Sequence, residues 1–490
     1  MKNYKYILIT LLLSTVSLSC SKFLEEIDKD KFIPSTVDHY AALMLQEFNN
    51  NTGISNVFQL MTDEVAEANS QRIAAAANRL SMKPIYTWQK DIEMNENGLR
   101  VGNNAAWQAL YRRIAIVNYV IEEVDGAEGS PEEIAFTKGE AYFIRAFCYF
   151  YLTNLYAEPY ENPEQARNTY GVPLRTNIAV LPTYDKDMLN ECYELIEADL
   201  TEARRLIENS GITNKSLYHP KVATCDLMLS TVKLYKKEYQ GVIDAATKVI
   251  EKSELARMVS GGGSGYFITL DNPEVLYSFQ QTPVAQTYMS GQSLVVDPAL
   301  YGSYHSNDQR RSYFFTVSVN TALQETSVYP RKSNTNYSNL RTANMRTAEA
   351  YLNRAEAYAF TGQYDKARED LMALLSKRYL NAANIQIPSD NAQLIGFIFQ
   401  ERLKELCFEQ LHRWFDLRRM GESLRPEIVH RFSITDRDGV LEGTEFFTLL
   451  KNDRNYTLSV PYQEKENNLF IRDYDRFDKV AEYYAGEINF

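Results

Sequence analysis

The sequence predicts a mainly α protein. Over several long stretches, apolar residues recur every three or four positions, which places them on one face of a helix. Two of these stretches carry the pattern of paired antiparallel helices. One segment, from Ser253 to about Asn344, lacks helical periodicity and is rich in Ser, Thr and Tyr. A long irregular insert in a helical protein is usually functional or disordered, and the abundance of Tyr favours an ordered, functional surface.

The helix from about Ala105 to Val124 has a complete apolar face. Asn118 lies beside that face, and a buried asparagine needs hydrogen-bond partners. We therefore expect Asn118 to bond a neighbouring segment of the chain. The residues of the apolar face are Trp107, Leu110, Tyr111, Ile114, Val117 and Ile121.

Ser130 opens the next helix as an N-cap, with Pro131 at the first helical position and acidic residues in the first turn. This helix is expected to end near Tyr156, because Pro159 and Pro163 impose a loop. A further helix follows Asp185. Its apolar stripe consists of Leu189, Cys192, Ile196, Leu200, Ala203 and Ile207.

The helices predicted over Val222 to Lys252 and Thr347 to Leu375 each contain a helix-turn-helix pattern. The second places small and aromatic residues where a tetratricopeptide unit packs its two helices, with Gly362 at the turn. The first is a weaker copy with Lys237 at the glycine position. Another helix is predicted over Ala392 to Met420.

Residues 1–19 have the features of a secretory signal. Lys2 and Lys5 give a positive start, a short apolar stretch follows, and small residues lead to Cys20. The apolar stretch is too short to span a bilayer. We expect the thiol of Cys20 to receive a lipid that holds the mature chain at a membrane. Ser17 stands where lipoprotein signals prefer leucine, so ordinary secretion is the alternative.

The charge of the chain argues against nucleic acid as a partner. The formal net charge is −12, and removal of Lys2 and Lys5 with the signal leaves −14. Binding to nucleic acid needs clustered Lys and Arg that displace counterions. The cysteines beyond Cys20 form no metal-binding C-x-x-C motif. They are expected to be free, buried thiols, with one disulfide as the alternative; they are Cys148, Cys192, Cys225 and Cys407.

Several blocks of sequence, taken in order, resemble the SusD/RagB family over nearly the whole chain. Phe23 to Glu25 is similar to the start of the mature family members. The larger blocks are Trp107 to Asn118, Gly139 to Leu152, Ala348 to Tyr358, Glu405 to Arg419, and Tyr456 to Pro461. Gln410 departs from the pattern, because many members have glycine at this position.

The resemblance implies a single helical domain over residues 20–490, built on tetratricopeptide-like helix pairs, with loops and a few short strands on one side. It implies a lipid-anchored protein facing the exterior of the outer membrane. Such a protein captures oligosaccharides without catalysis and passes them to a SusC-like TonB-dependent transporter. A peptide or another nutrient as cargo, and a surface glycosidase, stay open as alternatives.

Aromatic residues are the candidate ligand contacts, since sugar rings pack on flat apolar faces. Tyr86 and Trp88 lie where family members have ligand-contacting aromatics, although the same Y-x-W pattern also serves as packing. Tyr288, Tyr301 and Tyr304 lie in the irregular insert, where loops carry function. The polar residues that accompany them are Asn307, Asp308 and Arg310.

Metal and cofactor sites lack their sequence signatures. Glu409-x-x-His412 and Glu427-x-x-His430 copy one ligand pair of a di-iron bundle, but such a site needs two further carboxylates. The glycine-rich run from Gly261 to Gly265 is not followed by the Lys-Ser/Thr of a phosphate loop. We predict neither a metal nor a cofactor. Paired carboxylates for glycoside hydrolysis depend on separation in space, which the sequence does not give.

Overall fold

The structure, a computed structural model, describes residues 33–49, 56–68, 77–179, 184–213, 216–260, 265–279, 289, 294–321, 325–332, 343–436 and 440–485. Tyr288 and Cys20 lie outside these ranges. The first helices are α1 (Val37–Asn49), α2 (Ala77–Tyr86), α3 (Ala106–Glu123), α4 (Pro131–Tyr156), α5 (Pro163–Arg167), α6 (Leu189–Ser210), α7 (Val222–Tyr235) and α8 (Tyr239–Ile250). They continue with α9 (Pro298–Gly302), α10 (Arg310–Phe314), α11 (Thr347–Phe360), α12 (Tyr364–Leu375), α13 (Asn391–Leu406), α14 (His412–Arg419) and α15 (Tyr462–Asn467).

The strands are short, and the described strands pair in antiparallel fashion. They are β1 (Val65–Glu67), β2 (Val275–Phe279), β3 (Leu294–Val296), β4 (Phe315–Asn320), β5 (Glu325–Pro330), β6 (Ala343–Arg346), β7 (Ile428–Thr435), β8 (Leu441–Leu449) and β9 (Glu482–Ala485). The described pairs are β1 with β3, β2 with β6, and β4 with β5, together with one sheet in the order β7-β8-β9. The mainly α prediction is confirmed.

Helix α4 is the central element of the core. Its start is as predicted: the Ser130 hydroxyl accepts from the Glu133 amide, and the Glu133 carboxylate accepts from the Ser130 amide. From Phe136 onward, most of its side chains are buried between α3 and α6. Gly139 lets α6 approach, because a Cβ there would lie 2.8 Å from Ile207 Cγ1. Asn118 behaves as expected, since its Nδ2 donates to the carbonyl of Arg175 at 2.9 Å.

The two tetratricopeptide-like patterns form helix pairs, α7 with α8 and α11 with α12. Although the pairs are distant in the sequence, α8 packs directly on α11, so the helical array is continuous in space. Both turns need a left-handed backbone, with φ of +76° at Gly362 and +62° at Lys237. The region around α11, α12 and α13 has its own small hydrophobic cluster beside the main core.

The helix predicted over Ala392 to Met420 is broken into α13 and α14. Phe408 and Gln410 have φ of +57° and +49° between the two helices. A right-handed helix cannot contain these conformations, so the chain turns at this point. Gln410, at the position where the resemblance implies glycine, is therefore left-handed.

The irregular insert contains α9, α10 and strands β2 to β6, and a buried ion network fastens it to α13. The Glu405 carboxylate accepts from Arg346 Nη1 at 3.0 Å and from Arg378 Nη2 at 2.9 Å. Arg310 pairs with Asp308 at 2.7 Å within the same network. Asp308 and Arg310, expected from the sequence to accompany a ligand site, are therefore internal structural residues.

Cys148, Cys192, Cys225 and Cys407 are free and buried, as predicted. Burial raises the pKa of each thiol; for Cys407 the pKa is about 11. Within the described ranges, the helices are too short or too polar to cross a bilayer.

Candidate functional site

The pairing of β1 with β3 brings two distant parts of the chain together. Val65 pairs with Val296 and Glu67 with Leu294, so the segment that precedes Trp88 meets the irregular insert. Asp297 continues from β3, and its amide donates to the carbonyl of Glu64 at 2.9 Å. The two regions in which the sequence predicts ligand contacts are therefore neighbours in space.

Residues with left-handed backbone support the segment that leads into β1. Trp88, with φ of +52°, donates from its indole nitrogen to the Met61 carbonyl at 2.9 Å. The Phe408 amide donates to the Glu64 carboxylate at 2.7 Å. The Gln410 carbonyl accepts from the Gln59 side chain at 3.0 Å. Strained conformations of this kind persist where the surrounding structure holds them, and they cluster at functional sites.

Tyr86 and Trp88 are core residues and offer no exposed face to a sugar. Their exposed fractions are 0% and 1%. Their rings sandwich the imidazole of His430, with both centroids at 4.2 Å from it. The His430 Nδ1 lies 2.6 Å from the Tyr86 carbonyl and Nε2 lies 3.1 Å from the Thr62 carbonyl. Because they are buried, these two residues pack in the core and do not present the ligand contact that the sequence predicts.

Of the three tyrosines predicted to contact ligand in the insert, the two that the structure describes differ in burial. Tyr304 is buried and its hydroxyl donates to the Lys404 carbonyl at 2.7 Å, so it too belongs to the core. Tyr301 is half-buried on α9, where its ring packs on Phe315 and the Arg311 guanidinium lies 4.5 Å from the ring centroid. A ligand contact by Tyr301 stays a prediction.

A cleft of about 390 Å³ lies beside the β1–β3 ladder and is called here the ladder cleft. Small-molecule sites typically have volumes of about 300 to 1,000 Å³. Its apolar lining consists of Val65, Ala299, Leu300, Phe399, Leu403, Met420, Leu424, Pro426, Ile428 and Val429. Its polar lining consists of Asp63, Asp297, Ser303, Gln400, Arg413, Glu427 and His430.

The acidic groups of the ladder cleft have different environments. Asp63 pairs with Arg413, whose Nε donates to its carboxylate at 2.6 Å. Asp297 caps α9 by accepting from the amides of Ala299 and Leu300, and burial raises the pKa of its carboxyl. Glu427 is exposed and leaves its carboxylate available to a ligand. The cleft therefore presents hydrogen-bond acceptors beside apolar side chains.

Two buried groups beneath this region are shifted toward their neutral forms. Burial raises the pKa of Glu64 to about 7 and lowers the pKa of His430 to about 4. A neutral imidazole donates from one nitrogen only, so one of the two carbonyls facing His430 receives a hydrogen bond at neutral pH.

A larger cleft of about 620 Å³ lies on α3, but its aromatic floor is closed. Trp107 is 2% exposed, and Tyr111 and Tyr156 cover its ring at 5.0 Å. The Tyr184 hydroxyl donates a hydrogen bond to the Glu464 carboxylate at 2.6 Å. Tyr86, Trp88, Tyr301 and Tyr304 line neither cleft. The ladder cleft is the better candidate because Val65 and Asp297 place it beside the β1–β3 ladder that joins the two predicted regions, whereas no residue of that ladder lines the α3 cleft.

Most residues of the ladder cleft carry no signal of a binding site in the sequence. Asp297-Pro298 reads as a helix start, and Phe399 and Gln400 read as two positions of an ordinary helix. The β1–β3 pairing brings Asp297 beside Val65, and α13 contributes Phe399 and Gln400 to the same cleft. Within the described ranges, His, Cys, Asp and Glu side chains form no group of three or more that is suited to a metal.

This architecture defines a helical-repeat protein with a cleft on its irregular side. A family model described as "Starch-binding associating with outer membrane" matches residues 22–234, and the SusD family model matches residues 274–484. The chain belongs to the SusD/RagB family.

Relatives and solved structures agree with this assignment. The chain is 24% identical to SusD-like protein P2 of Formosa agariphila over 86% of this chain and 91% of the relative. A SusD superfamily protein from Bacteroides thetaiotaomicron has a similar fold, with a TM-score of 0.68 and 19% identity over 90% of this chain and all of the other. A SusD-like carbohydrate-binding protein from Bacteroides vulgatus has a TM-score of 0.64 and 18% identity, over 89% and 97% of the two chains.

Proposed function

We propose that this protein captures oligosaccharides at the cell surface and delivers them to a SusC-like TonB-dependent transporter, without chemical change. Family membership over both parts of the chain is the observation that carries this proposal. The matching description names starch binding and the outer membrane, and one structural neighbour is called carbohydrate-binding.

The ladder cleft supports the proposal as the capture site. Sugar hydroxyls are donors, and Glu427, Gln400 and Ser303 offer acceptors to them. Leu424 and Val429 are exposed apolar side chains on which the C–H face of a sugar ring can pack. Because strained backbone and ion pairs hold the surrounding segments, binding needs little ordering of the protein.

The charges in the ladder cleft favour binding over hydrolysis. A glycosidase needs two free carboxyl groups on either side of the scissile bond. The Asp63 carboxylate is held by Arg413, and the Asp297 carboxylate is held by two backbone amides. This leaves Glu427 as the one unpaired carboxylate among the described residues of the cleft.

Titration calorimetry of the mature protein with neutral oligosaccharides of several linkages tests the capture site. Glu427→Gln and Gln400→Ala should each weaken the best ligand about tenfold, since a hydrogen bond between the ligand and a charged or amide group contributes about 1.5 kcal/mol. Gln108→Ala, on the exposed face of α3, is the matched control and should bind like the wild type. Chromatography of the mixtures should show no product.

Three results would contradict the proposal. Loss of binding in Gln108→Ala alone would move the site to the α3 cleft. Product formation that stops in Glu427→Gln would make the protein an enzyme. Binding of peptides but of no oligosaccharide would change the cargo.

A further inference from the structure

A second polar cleft lies on the other side of the loop that follows α14. It has a volume of about 640 Å³ and is called here the arginine cleft, after Arg418 and Arg425. Met420 lines both this cleft and the ladder cleft, so the two are adjacent. Burial raises the pKa of Tyr456, which lines the arginine cleft, and the charge of Asp63, a ladder-cleft residue, adds to this shift.

Arg418 is a buried cation that forms no ion pair with any carboxylate of the described residues. It is 2% exposed, and its guanidinium donates to the carbonyls of Asn154 and Ala157 and to the Thr457 hydroxyl. Its Nε has no hydrogen-bond partner in the part of the chain that the structure describes. By contrast, Arg402 and Arg419 nearby both pair with Asp416. Burial lowers the pKa of Arg418 to about 10.

Arg425 repeats this arrangement beside Arg418. Its guanidinium donates to the carbonyls of Lys451, Arg418 and Met420, and its Nε also lacks a partner. It lies 4.8 Å from the ring centroid of Tyr456, whose buried hydroxyl has no partner either. Three donors without acceptors are thus collected at one cleft, and an unsatisfied buried donor costs about 1 to 3 kcal/mol.

The acidic side chains of this cleft either have partners or lie at its mouth. Asp473 pairs with Arg476 at 2.8 Å, and Asp453 pairs with Lys479. The exposed acids are Glu158, Glu161, Glu422 and Asp475. The charges of Glu422 and Glu161 act on Arg425, but no carboxylate oxygen lies within ion-pair distance of it among the described residues. The floor is therefore cationic, and the rim is acidic and solvated.

We propose that the floor of the arginine cleft receives the carboxylate of an acidic sugar residue belonging to the glycan held in the ladder cleft. A carboxylate can accept from the two free Nε–H groups of Arg418 and Arg425 and from the Tyr456 hydroxyl. The inference rests on the proposed function and extends it by naming the chemical class of the glycan. Met420 and its neighbours would lie under the chain of sugars between the two clefts.

Calorimetry with a matched pair of probes tests the inference: a galacturonic acid trisaccharide and the galactose trisaccharide of the same linkage. The full mature protein should bind the acidic probe at least tenfold more tightly, and added sodium chloride should reduce the difference. Tyr456→Phe removes one hydroxyl that has no internal partner, so it should preserve the fold and weaken only the acidic probe. Arg425→Gln should abolish the preference for the acid.

Arg100→Gln is the matched control, because Arg100 is an exposed arginine elsewhere that pairs with Glu466. It should leave both affinities unchanged, and thermal unfolding should confirm that every variant is folded. Equal binding of the two probes by the wild type, with both weakened by Glu427→Gln, would overturn the acidic-sugar inference and keep the proposed function. An acid preference that survives Tyr456→Phe and Arg425→Gln would also overturn it. Failure of both probes and of all neutral oligosaccharides would overturn the proposed function as well.

Discussion

Two turns of the chain adopt the same left-handed backbone, one at a glycine and one at a lysine. Gly362 joins α11 to α12, and Lys237 joins α7 to α8. A residue with a side chain is destabilised by about 1 to 2 kcal/mol in this conformation. The Lys237 side chain is exposed, so little packing offsets the strain. The helix pair with the weaker sequence pattern, α7 with α8, therefore also has the more strained turn.

Lys237→Gly should raise the free energy of unfolding by about 1 kcal/mol, because relief of the strain exceeds the added flexibility of the unfolded chain. Urea denaturation followed by circular dichroism measures this change. Gly362→Ala is the reciprocal variant and should lower the stability by about the same amount, although its Cβ would meet no atom within 4 Å. A Lys237→Gly protein no more stable than Lys237→Ala would show that the turn is not strained.

The side chain of Gln410 explains why a residue other than glycine occupies this left-handed position. Its Nε2 donates to the Asn344 carbonyl at 2.8 Å, and its Oε1 accepts from the Tyr151 hydroxyl at 3.0 Å. Both partners are buried, so a glycine here would leave them unsatisfied. The departure from the family pattern at this position is explained by side-chain hydrogen bonds that glycine cannot make.

The long helices were predictable because their signals are local. The cap at Ser130 and the periodic faces of α3, α4 and α6 lie within a single stretch of sequence. The break between α13 and α14 was missed, since apolar periodicity continues through Phe408 while Glu64, far away in the sequence, holds its amide. Strands β1 and β3 were missed for a similar reason: each has three residues and finds its partner across the chain.

The candidate site was predictable in region but not in residues. The candidate aromatic residues lie in or near the two segments that the β1–β3 ladder joins. However, Tyr86, Trp88 and Tyr304 are buried, so they lie beneath the protein surface and do not line it. Sequence alone does not distinguish an aromatic that packs from one that is displayed, because both are large and apolar. The lining of the ladder cleft comes from several separate segments, and only tertiary structure brings them together.

Because Glu405 lies in the ion network between α13 and the insert, the stability of the fold depends strongly on its carboxylate. Its carboxylate, fully buried, accepts from Arg346, Arg378 and Arg310. Loss of one partner from a buried ion pair costs about 3 to 5 kcal/mol, because the remaining charge stays buried without compensation. Glu405→Gln should therefore lower the free energy of unfolding by about this amount. Glu202→Gln, which breaks the exposed pair with Arg205, is the control and should change it by about 0.5 kcal/mol or less.

The same network sets a pH dependence of stability. The neighbouring arginines outweigh burial and lower the pKa of Glu405 below its ordinary value of about 4.3. A group with a lowered folded pKa contributes stability above its unfolded pKa, and this contribution is lost as the pH falls toward the folded pKa. The wild type should thus lose its stability advantage over Glu405→Gln as the pH falls below about 4. Parallel curves for the two proteins from pH 7 to pH 2 would contradict the assignment.

The whole molecule combines a rigid helical array with a cleft-bearing irregular side. α8 packing on α11 joins the two repeat-like pairs, and the ion network fastens the insert to that array. The ladder cleft therefore lies between elements that are fixed on both sides. Such a protein is suited to hold a ligand without closing over it, which agrees with a carrier that must release its cargo to a transporter.

Delivery to a transporter in the outer membrane requires that the chain be held at the membrane, and we predict that Cys20 provides the attachment. A single acyl chain binds a membrane marginally, whereas two or more hold a protein firmly. Cys20→Ala should abolish labelling by a fatty-acid analogue and shift the protein from the membrane fraction to the soluble fraction. Cys225→Ala is the matched control, because it changes a thiol that is buried in α7, and it should stay labelled and membrane-bound.

Retention of an unlabelled Cys20→Ala protein in the membrane fraction would mean that protein contacts, and not a lipid, hold it there. Digestion of the wild type by protease added to intact cells would then place the chain on the outer face.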